Sequence, residues 1–251
     1  MAKGPKQRAD QLLLARALVE SRTQAQALIM AGKVVANGHR VEKPGQQIPI
    51  SSDLTVKGRE HPWVSRGGQK LAGALAAFDI DPTGAVALDI GASTGGFTDV
   101  LLQYGAARVY AVDVGHGQLA WKLRQDDRVV VLERTNARYI TAGQVPEPLD
   151  LVVSDASFIG LETLLPASLD LAAPGAKLIA LIKPQFEVGR ERVGKGGVVR
   201  DSSLHEEVCE RIRAWLGIRC GWRVVGVTPS PITGPEGNVE FLIAAVKESE
   251  R

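Results

Sequence analysis

The sequence predicts an α/β protein in which a small N-terminal α+β unit precedes a parallel sheet with helices on both faces. From residue 65 onward, short apolar runs alternate with amphipathic helical patterns, which is typical of parallel strands joined by helices. Before that point the chain carries two helical stripes and a pair of β-like pieces. We place the two domains at residues 1–60 and 65–251, joined by a linker over residues 61–64.

Length and charge agree with this division. The chain has 251 residues, 45% hydrophobic and 23% charged, as expected for a globular protein with one large domain and one small one. The net charge is +2, yet residues 1–60 hold ten Lys or Arg against five Asp or Glu. This basic block indicates a module that binds a polyanion. Charge alone leaves open that it is a solvated surface.

The sequence predicts a cytoplasmic protein that neither enters a membrane nor binds a metal. The first ten residues lack a hydrophobic signal core, and no apolar run approaches the roughly 20 residues of a membrane helix. Cys209 and Cys220 have no metal-ligand companions at useful spacing, and two thiols do not make a disulfide framework.

The N-terminal unit is predicted to contain two helices and a hairpin. The first helical stripe contains Leu12, Leu13, Ala17 and Leu18, and the second contains Ala25, Leu28 and Ile29. Ser21 stands where an N-cap belongs, and Gly32 ends the second helix. Pieces 34–36 and 39–41 flank Asn37-Gly38, a strong hairpin signal. We expect the polar residues 1–7 to be frayed.

The larger unit is predicted to contain seven strands, the last of them antiparallel. The strands are expected at residues 86–90, 108–113, 129–132, 149–154, 176–182, 222–228 and 239–246. The helices are expected at residues 65–78, 95–104, 117–124, 161–171 and 202–217. In the linker, Pro62 disfavours a helix, and Trp63 either packs against the larger domain or helps to set the angle between domains.

The run AVALDIGASTGGFTDVLLQ, residues 85–103, organises the larger unit. It combines a strand pattern, a glycine-rich turn and a helical pattern, and a second strand then ends in Asp113. Such a turn lets backbone approach a ligand at a helix N-terminus, and an acid after the second strand can accept hydrogen bonds from a ribose diol. The Gly-Ala-Ser-Thr-Gly-Gly form resembles motif I of S-adenosylmethionine-dependent methyltransferases. The cofactor contacts that we expect are Gly91, Ser93, Thr94, Gly95, Gly96, Phe97 and Asp113, with Asn136 at the adenine edge.

Four polar residues stand at the ends of predicted strands or beside an apolar helix stripe: Lys70, Asp155, Lys183 and Glu240. Taken singly, each has an ordinary explanation as a helix cap or a surface charge. Their contexts, SRGGQKL, SDASF, LIKPQFE and GNVEF, together resemble the Lys-Asp-Lys-Glu tetrad of FtsJ-like ribose 2′-O-methyltransferases. The resemblance implies that Lys183 acts on the 2′-oxygen as base or alkoxide stabiliser, that Asp155 orients it, and that the other two position the ribose.

Residues 8–50 resemble an S4 RNA-binding domain through Arg8-Ala-Asp10, Ser21-Arg22, Gly32-Lys33-Val34, Asn37-Gly38 and VEKPG at 41–45. The donors expected to bind RNA are Arg8, Ser21, Arg22, Gln26, Lys33, Asn37 and Lys43. The whole chain resembles the TlyA family of ribosomal RNA cytidine 2′-O-methyltransferases, also named haemolysins, which implies ribosomal RNA or ribosomal subunits as partners. A non-enzymatic RNA-binding protein and a membrane-lytic protein are the alternatives. Loop 184–200 either closes over RNA or has no role.

Overall fold

The computed structural model describes residues 5–16, 18–19, 21–57, 61–218 and 221–248. In the N-terminal unit the elements are β1 (Lys6–Arg8), α1 (Ala9–Ala15), α2 (Arg22–Met30), β2 (Val34–Ala36), β3 (His39–Arg40), β4 (Gln47–Pro49) and β5 (Leu54–Val56). Strand β1 pairs antiparallel with β4, and β2 lies between β3 and β5 in a second antiparallel sheet. The two helices and both sheets enclose a small core that includes Leu13, Ile29 and Val34.

Two features of this unit that the sequence predicts from adjacent residues are confirmed, the N-cap of α2 and the turn of the hairpin. Ser21 caps α2, since its hydroxyl accepts the N–H of Gln24 at 3.1 Å. Asn37 and Gly38 both have positive φ, 48° and 80°, as a type I′ hairpin turn requires.

Two expectations for the same unit were wrong. The first helix ends at Ala15, so Leu18 lies beyond the helix, although it still packs against the core. Ala17 lies outside the described residues. Residues 6–8 form a strand rather than a frayed end, because their partner β4 lies about 40 residues away, beyond the reach of any local pattern.

The larger unit contains a seven-stranded sheet. Its first elements are α3 (Gly67–Ala77), β6 (Val86–Ile90), α4 (Gly96–Gln103), β7 (Arg108–Val112), α5 (Trp121–Arg124), β8 (Val129–Leu132) and β9 (Leu149–Ser154). They are followed by α6 (Leu161–Leu164), α7 (Pro166–Asp170), β10 (Ala172–Ile182), α8 (Pro184–Glu187), α9 (Ser202–Ile218), β11 (Trp222–Pro229) and β12 (Phe241–Lys247). The strand order is β11-β12-β10-β9-β6-β7-β8, with β12 antiparallel to both of its neighbours. The predicted antiparallel last strand is therefore confirmed.

Helices cover both faces of this sheet, as predicted. Alternate residues of β6 point to opposite faces, so Leu88 joins the core under α6, α7 and α9, while Ala87 joins the core under α3, α4 and α5. Trp63, 8% exposed, packs into the second of these cores, with its ring 5.9 Å from that of Tyr104. The main-chain N–H of Val64 donates to Asp99 on α4 at 2.7 Å.

Some predicted boundaries in the larger unit were wrong for identifiable reasons. The helix expected at 117–124 begins only at Trp121, because Gly117 has a positive φ of 70° and Ala120 is extended. The helix expected at 161–171 is divided at Pro166, which has no N–H to continue the hydrogen-bond ladder. The strand expected at 239–246 begins at Phe241, so Glu240 precedes it.

The topology brings the predicted polar residues to one edge of the sheet. Parallel strands β6, β9 and β10 end side by side, which gathers the residues that follow them, Gly91, Asp155 and Lys183. Strand β12 runs the other way, and its first residue pairs with the last residue of β10. Glu240 therefore lies next to the end of β10, at the edge where open α/β sheets bind their ligands.

Candidate active site

The four predicted catalytic residues form a continuous chain of charges. Lys70 Nζ lies 2.6 Å from Glu240 Oε2 and 3.4 Å from Asp155 Oδ2. Asp155 Oδ1 lies 2.6 Å from Lys183 Nζ. Two ammonium groups thus alternate with two carboxylates, and the structure brings together all four residues that the sequence singled out.

These charges are withdrawn from water. Lys70, Lys183 and Glu240 are 5%, 6% and 1% exposed, while the Asp155 side chain is 20% exposed and faces a cavity. Buried charges are tolerated only when they are paired and hydrogen-bonded, so each member constrains its neighbours. The ordinary explanations of these residues as surface charges are therefore wrong.

Lys183 has a further partner that the sequence analysis missed. Its Nζ donates to Ser157 Oγ at 3.0 Å and to the main-chain oxygen of Asp155 at 3.2 Å. A serine three residues beyond a strand end carries no sequence signal of this role, because the contact depends on the loop bending back toward β10.

The glycine-rich turn packs tightly against protein as well as lining a cavity. A Cβ on Gly91, whose φ is +81°, would lie 3.0 Å from Ala156 Cα on the neighbouring loop. A Cβ on Gly95 would collide with Leu123, and one on Gly96 would collide with Ser65 Oγ. Protein packing therefore already excludes side chains at these three positions, and the contact of their backbone with a ligand stays a prediction.

Two cavities meet at this turn. One, of about 470 Å³, is lined by residues that include Ile90, Val112, Asp113, Gln118, Asn136 and Leu164. The other, of about 370 Å³, is lined by residues that include Arg66, Lys70, Thr94, Gly96, Phe97 and Lys183. Gly91, Ser93, Asp155 and Ser157 line both cavities. A molecule in the first cavity can therefore reach the lysines in the second.

The donors and acceptors of the larger cavity suit a nucleoside. Asp113 accepts the N–H groups of Ser93 at 2.8 Å and Gly115 at 2.7 Å through different oxygens. A carboxylate has about four acceptor positions, so this one retains capacity for a ribose diol. Asn136 Oδ1 accepts the N–H of Arg138 at 3.1 Å, which fixes the amide at the cavity wall. The apolar walls suit a flat base, and the residues present therefore fit S-adenosylmethionine.

A fourth carboxyl group, that of Asp89 on β6, is wholly buried beneath the turn. Its Oδ2 accepts both the N–H and the hydroxyl of Thr98, at 2.9 and 2.6 Å, while Oδ1 has no hydrogen-bond partner among the described residues. Burial raises the pKa of Asp89 to about 7; the Thr98 bonds oppose this shift, and the nearby carboxylates of Asp155 and Asp113 add to it.

This burial predicts a pH-dependent loss of stability. Because the folded-state pKa of Asp89 is raised above the unfolded value, its contribution is fully present below about pH 4 and is lost as the pH rises toward 7. For a shift of this size the loss is about 4 kcal/mol. We expect Asp89→Asn to flatten the fall in unfolding free energy between pH 4.5 and 8, measured by denaturant unfolding. Exposed Asp127→Asn is the control, and equal slopes for wild type and Asp89→Asn would contradict the assignment.

In the N-terminal unit, most of the predicted RNA-binding side chains also bond to protein. Buried Asp10 accepts from Arg8, Arg22 and Gln26 at 2.9 to 3.3 Å, and the Arg8 bond holds the pKa of Asp10 well below its usual range. Asn37 bonds to Ser52 and Asp53, which precede β5, and Ser21 caps α2. Within the described residues, the side chains of Lys33 and Lys43 are exposed and make no such bond. The two arginine side chains remain 38% and 51% exposed, so Asp10 orients them without covering them.

The comparison with known families decides the classification. The FtsJ-like methyltransferase family matches residues 63–247, and the S4 domain matches residues 7–54. The chain belongs to the FtsJ-like methyltransferase family. This membership confirms the predicted fold class, a Rossmann-like methyltransferase domain with an N-terminal S4 domain, and the predicted S-adenosylmethionine cofactor.

Relatives of this FtsJ-like methyltransferase match over almost the full chain. It is 50% identical to the 16S/23S rRNA (cytidine-2′-O)-methyltransferase TlyA of Mycobacterium tuberculosis, over 97% of this chain and 91% of that protein. It is 41% identical to Hemolysin A of Brachyspira hyodysenteriae, over 94% and 98%. A solved structure described as a suspected hemolysin from Streptococcus thermophilus aligns with a TM-score of 0.75 and 47% identity, over 99% and 90%.

No helix among the described residues of this FtsJ-like methyltransferase is both long enough and apolar enough to cross a membrane. No group of three or more His, Cys, Asp or Glu among them is arranged to hold a metal ion. Cys209 is partly buried, and burial raises the pKa of its thiol to about 11. Cys220 lies outside the described residues.

Proposed function

We propose that this protein methylates the ribose 2′-oxygen of a cytidine in ribosomal RNA, with ribosomal subunits as its substrates and the cytoplasm as its location. The observation that carries the proposal is the buried chain of Glu240, Lys70, Asp155 and Lys183 where the two cavities join. The S4 domain and the rRNA-methylating relative support RNA as the substrate class.

The residues of the tetrad suit the deprotonation of a weak nucleophile. S-adenosylmethionine supplies a methyl group that is activated by its own positive sulfur, so the reaction requires no metal. A ribose hydroxyl must lose its proton near the moment of attack, and a lysine serves either as a base when neutral or as an alkoxide stabiliser when charged. We assign this role to Lys183, because Asp155 holds its Nζ at the wall of the smaller cavity. Lys70, which lines the smaller cavity, holds Asp155 and positions the ribose, and Glu240 acts through its ion pair with Lys70.

In the proposed complex, the larger cavity holds the cofactor and the smaller one holds the acceptor ribose. Asp113 would receive the cofactor ribose diol, Asn136 would meet the adenine edge, and Ser93, Thr94 and the glycine backbone would face the methionine part. Phe97 is 3% exposed and closes the wall of the smaller cavity.

The S4 domain would bind RNA through exposed cations rather than through base recognition. Asp10 presents the guanidinium groups of Arg8 and Arg22 in a fixed orientation, which suits bidentate contacts to phosphate oxygens. The exposed ammonium groups of Lys33 and Lys43 add point charges in the same domain. Ser21, Gln26 and Asn37 hold the framework of this surface, and they reach RNA only through atoms that their internal bonds leave unused.

The proposal is tested by methyl transfer from tritiated S-adenosylmethionine to purified ribosomal subunits. We expect label in the RNA with the wild-type protein and none above background with Lys183→Ala. Label that enters ribosomal protein, or no label with any subunit or free rRNA, would contradict the proposed function.

Asp113 gives a separate test of the cofactor assignment. Asp113→Ala removes the carboxylate from the larger cavity, so S-adenosylmethionine binding should weaken by about 10- to 100-fold, the range for hydrogen bonds to a charged group. RNA binding, followed by fluorescence anisotropy, should change little. Calorimetric titration with cofactor provides the measurement, with Asp127→Ala as the exposed control. Unchanged cofactor affinity in Asp113→Ala would refute the role.

A further inference from the structure

Three oxygen atoms surround the Lys183 ammonium group, and they differ in kind. Asp155 Oδ1, at 2.6 Å, forms an ion pair with it. The main-chain oxygen of Asp155 at 3.2 Å and Ser157 Oγ at 3.0 Å accept hydrogen bonds from it. An ammonium group has three N–H donors, so these two hydrogen bonds leave one donor for a ribose oxygen. The bond to Ser157 does not depend on Asp155, so without it Nζ could rotate about its contacts with Asp155.

Ser157 also occupies the junction of the two cavities. It lines both of them and is itself exposed there, whereas Lys183 is 6% exposed. The bond between Ser157 and Lys183 consequently lies at the surface that a bound ribose would touch.

The loop that carries Ser157 is anchored at both ends. At its start, Asp155 N–H donates to the Ile90 oxygen at 3.0 Å. At its end, Leu161 N–H donates to Glu187 Oε1 at 2.8 Å, and Glu187 is held in turn by Arg211 at 2.9 Å. Between these anchors, Phe158 has a φ of +67°, a strained conformation for a residue with a side chain. Such strain persists only where the surrounding structure imposes it, so the fold fixes the position of Ser157.

We propose that Ser157 is a positioning residue for methyl transfer, which aims Lys183 Nζ into the acceptor cavity. This inference rests on the proposed function. Ser157 acts through Lys183: it accepts one N–H of the ammonium group and thereby directs the lysine toward the ribose 2′-oxygen.

The test compares Ser157→Ala with Ser157→Thr in single-turnover methyl transfer to ribosomal subunits. In Ser157→Ala we expect the rate at saturating RNA and cofactor to fall about tenfold or more, as for loss of a hydrogen bond to a charged group. The RNA concentration at half-maximal rate and the cofactor Kd should stay within about twofold of wild type, since a positioning defect affects turnover rather than binding. Ser157→Thr keeps the hydroxyl and should restore most of the rate.

Ser154→Ala is the matched control, because the same change is made three residues away at a buried hydroxyl with no hydrogen-bond partner among the described residues. Wild-type turnover in Ser157→Ala would overturn the inference, as would an equal loss in Ser157→Ala and Ser157→Thr at unchanged melting temperature. A rise in cofactor Kd with an unchanged rate at saturating cofactor would also overturn it. Failure of the wild-type protein to methylate RNA would instead refute the proposed function, so the two failures are distinguishable.

Discussion

Lys183→Ala is expected to lose about 10²- to 10⁴-fold of the methyl-transfer rate, the range usual for a general base. The physical reason is that Lys183 Nζ is held by Asp155 and Ser157 at the wall of the acceptor cavity. Removal of the ammonium group therefore affects the chemical step rather than binding. Single-turnover transfer at saturating cofactor measures the effect, and the affinities for cofactor and RNA should remain close to those of wild type.

Lys183→Arg separates the two roles open to this lysine. Arginine keeps the positive charge, but its planar guanidinium group is larger and does not readily release a proton. We expect no recovery of rate, as a proton-accepting lysine requires. Recovery in Lys183→Arg would show that Lys183 acts as a fixed positive charge on the alkoxide, and wild-type rates in both variants would remove Lys183 from the mechanism.

Glu240→Ala is expected to cost about 3–5 kcal/mol of unfolding free energy, because one partner of a buried ion pair is removed and the other remains. Lys70 is 5% exposed, and without Glu240 its closest carboxylate oxygen is Asp155 Oδ2 at 3.4 Å. In a domain of this size the loss corresponds to a fall of about 10 °C in melting temperature. Denaturant and thermal unfolding measure it, with the exposed Glu206→Ala as a control that should change stability by about 0.5 kcal/mol or less.

A double variant of Lys70 and Glu240 separates the effect of this ion pair on stability from its effect on catalysis. Lys70→Met with Glu240→Leu replaces both charges by apolar groups of similar volume, which is often neutral for stability. We expect this double variant to recover most of the stability that Glu240→Ala loses while methyl transfer stays impaired. A double variant as unstable as the single one, or a loss below about 1 kcal/mol in Glu240→Ala, would contradict the account of the pair.

Much of the larger domain could be predicted because its strands carry their own signals. The strands at 86–90, 129–132 and 149–154 have the predicted bounds, since each is a mostly apolar run that is followed by a polar or glycine residue. The strand at residues 6–8 could not be predicted, because it is polar and depends on a partner about 40 residues away. The predicted start of α5 at residue 117 was too early, because Gly117 has a positive φ of 70° and Ala120 has a non-helical ψ of 138° before the helix begins at Trp121.

The residues of the site also divide into those that carry a sequence signal and those whose role depends on distant parts of the fold. Lys70, Asp155, Lys183 and Glu240 could be found because strand ends meet at one sheet edge and because their contexts match a known motif. Asp89 could not, since a carboxyl group in a strand gives no sign that it is wholly buried with an unpaired oxygen. Ser157 was missed because its bond to Lys183 depends on a loop held by Glu187.

The central claim is that this tetrad directs a methyl group to a ribose 2′-oxygen. The most direct measurement is mass spectrometry of nucleosides from ribosomal subunits treated with the protein and isotopically labelled S-adenosylmethionine. We expect labelled 2′-O-methylcytidine with wild-type protein and its absence with Lys183→Ala. Labelled cytidine that carries its methyl group on the base, or labelled 2′-O-methylcytidine formed equally by Lys183→Ala, would contradict it.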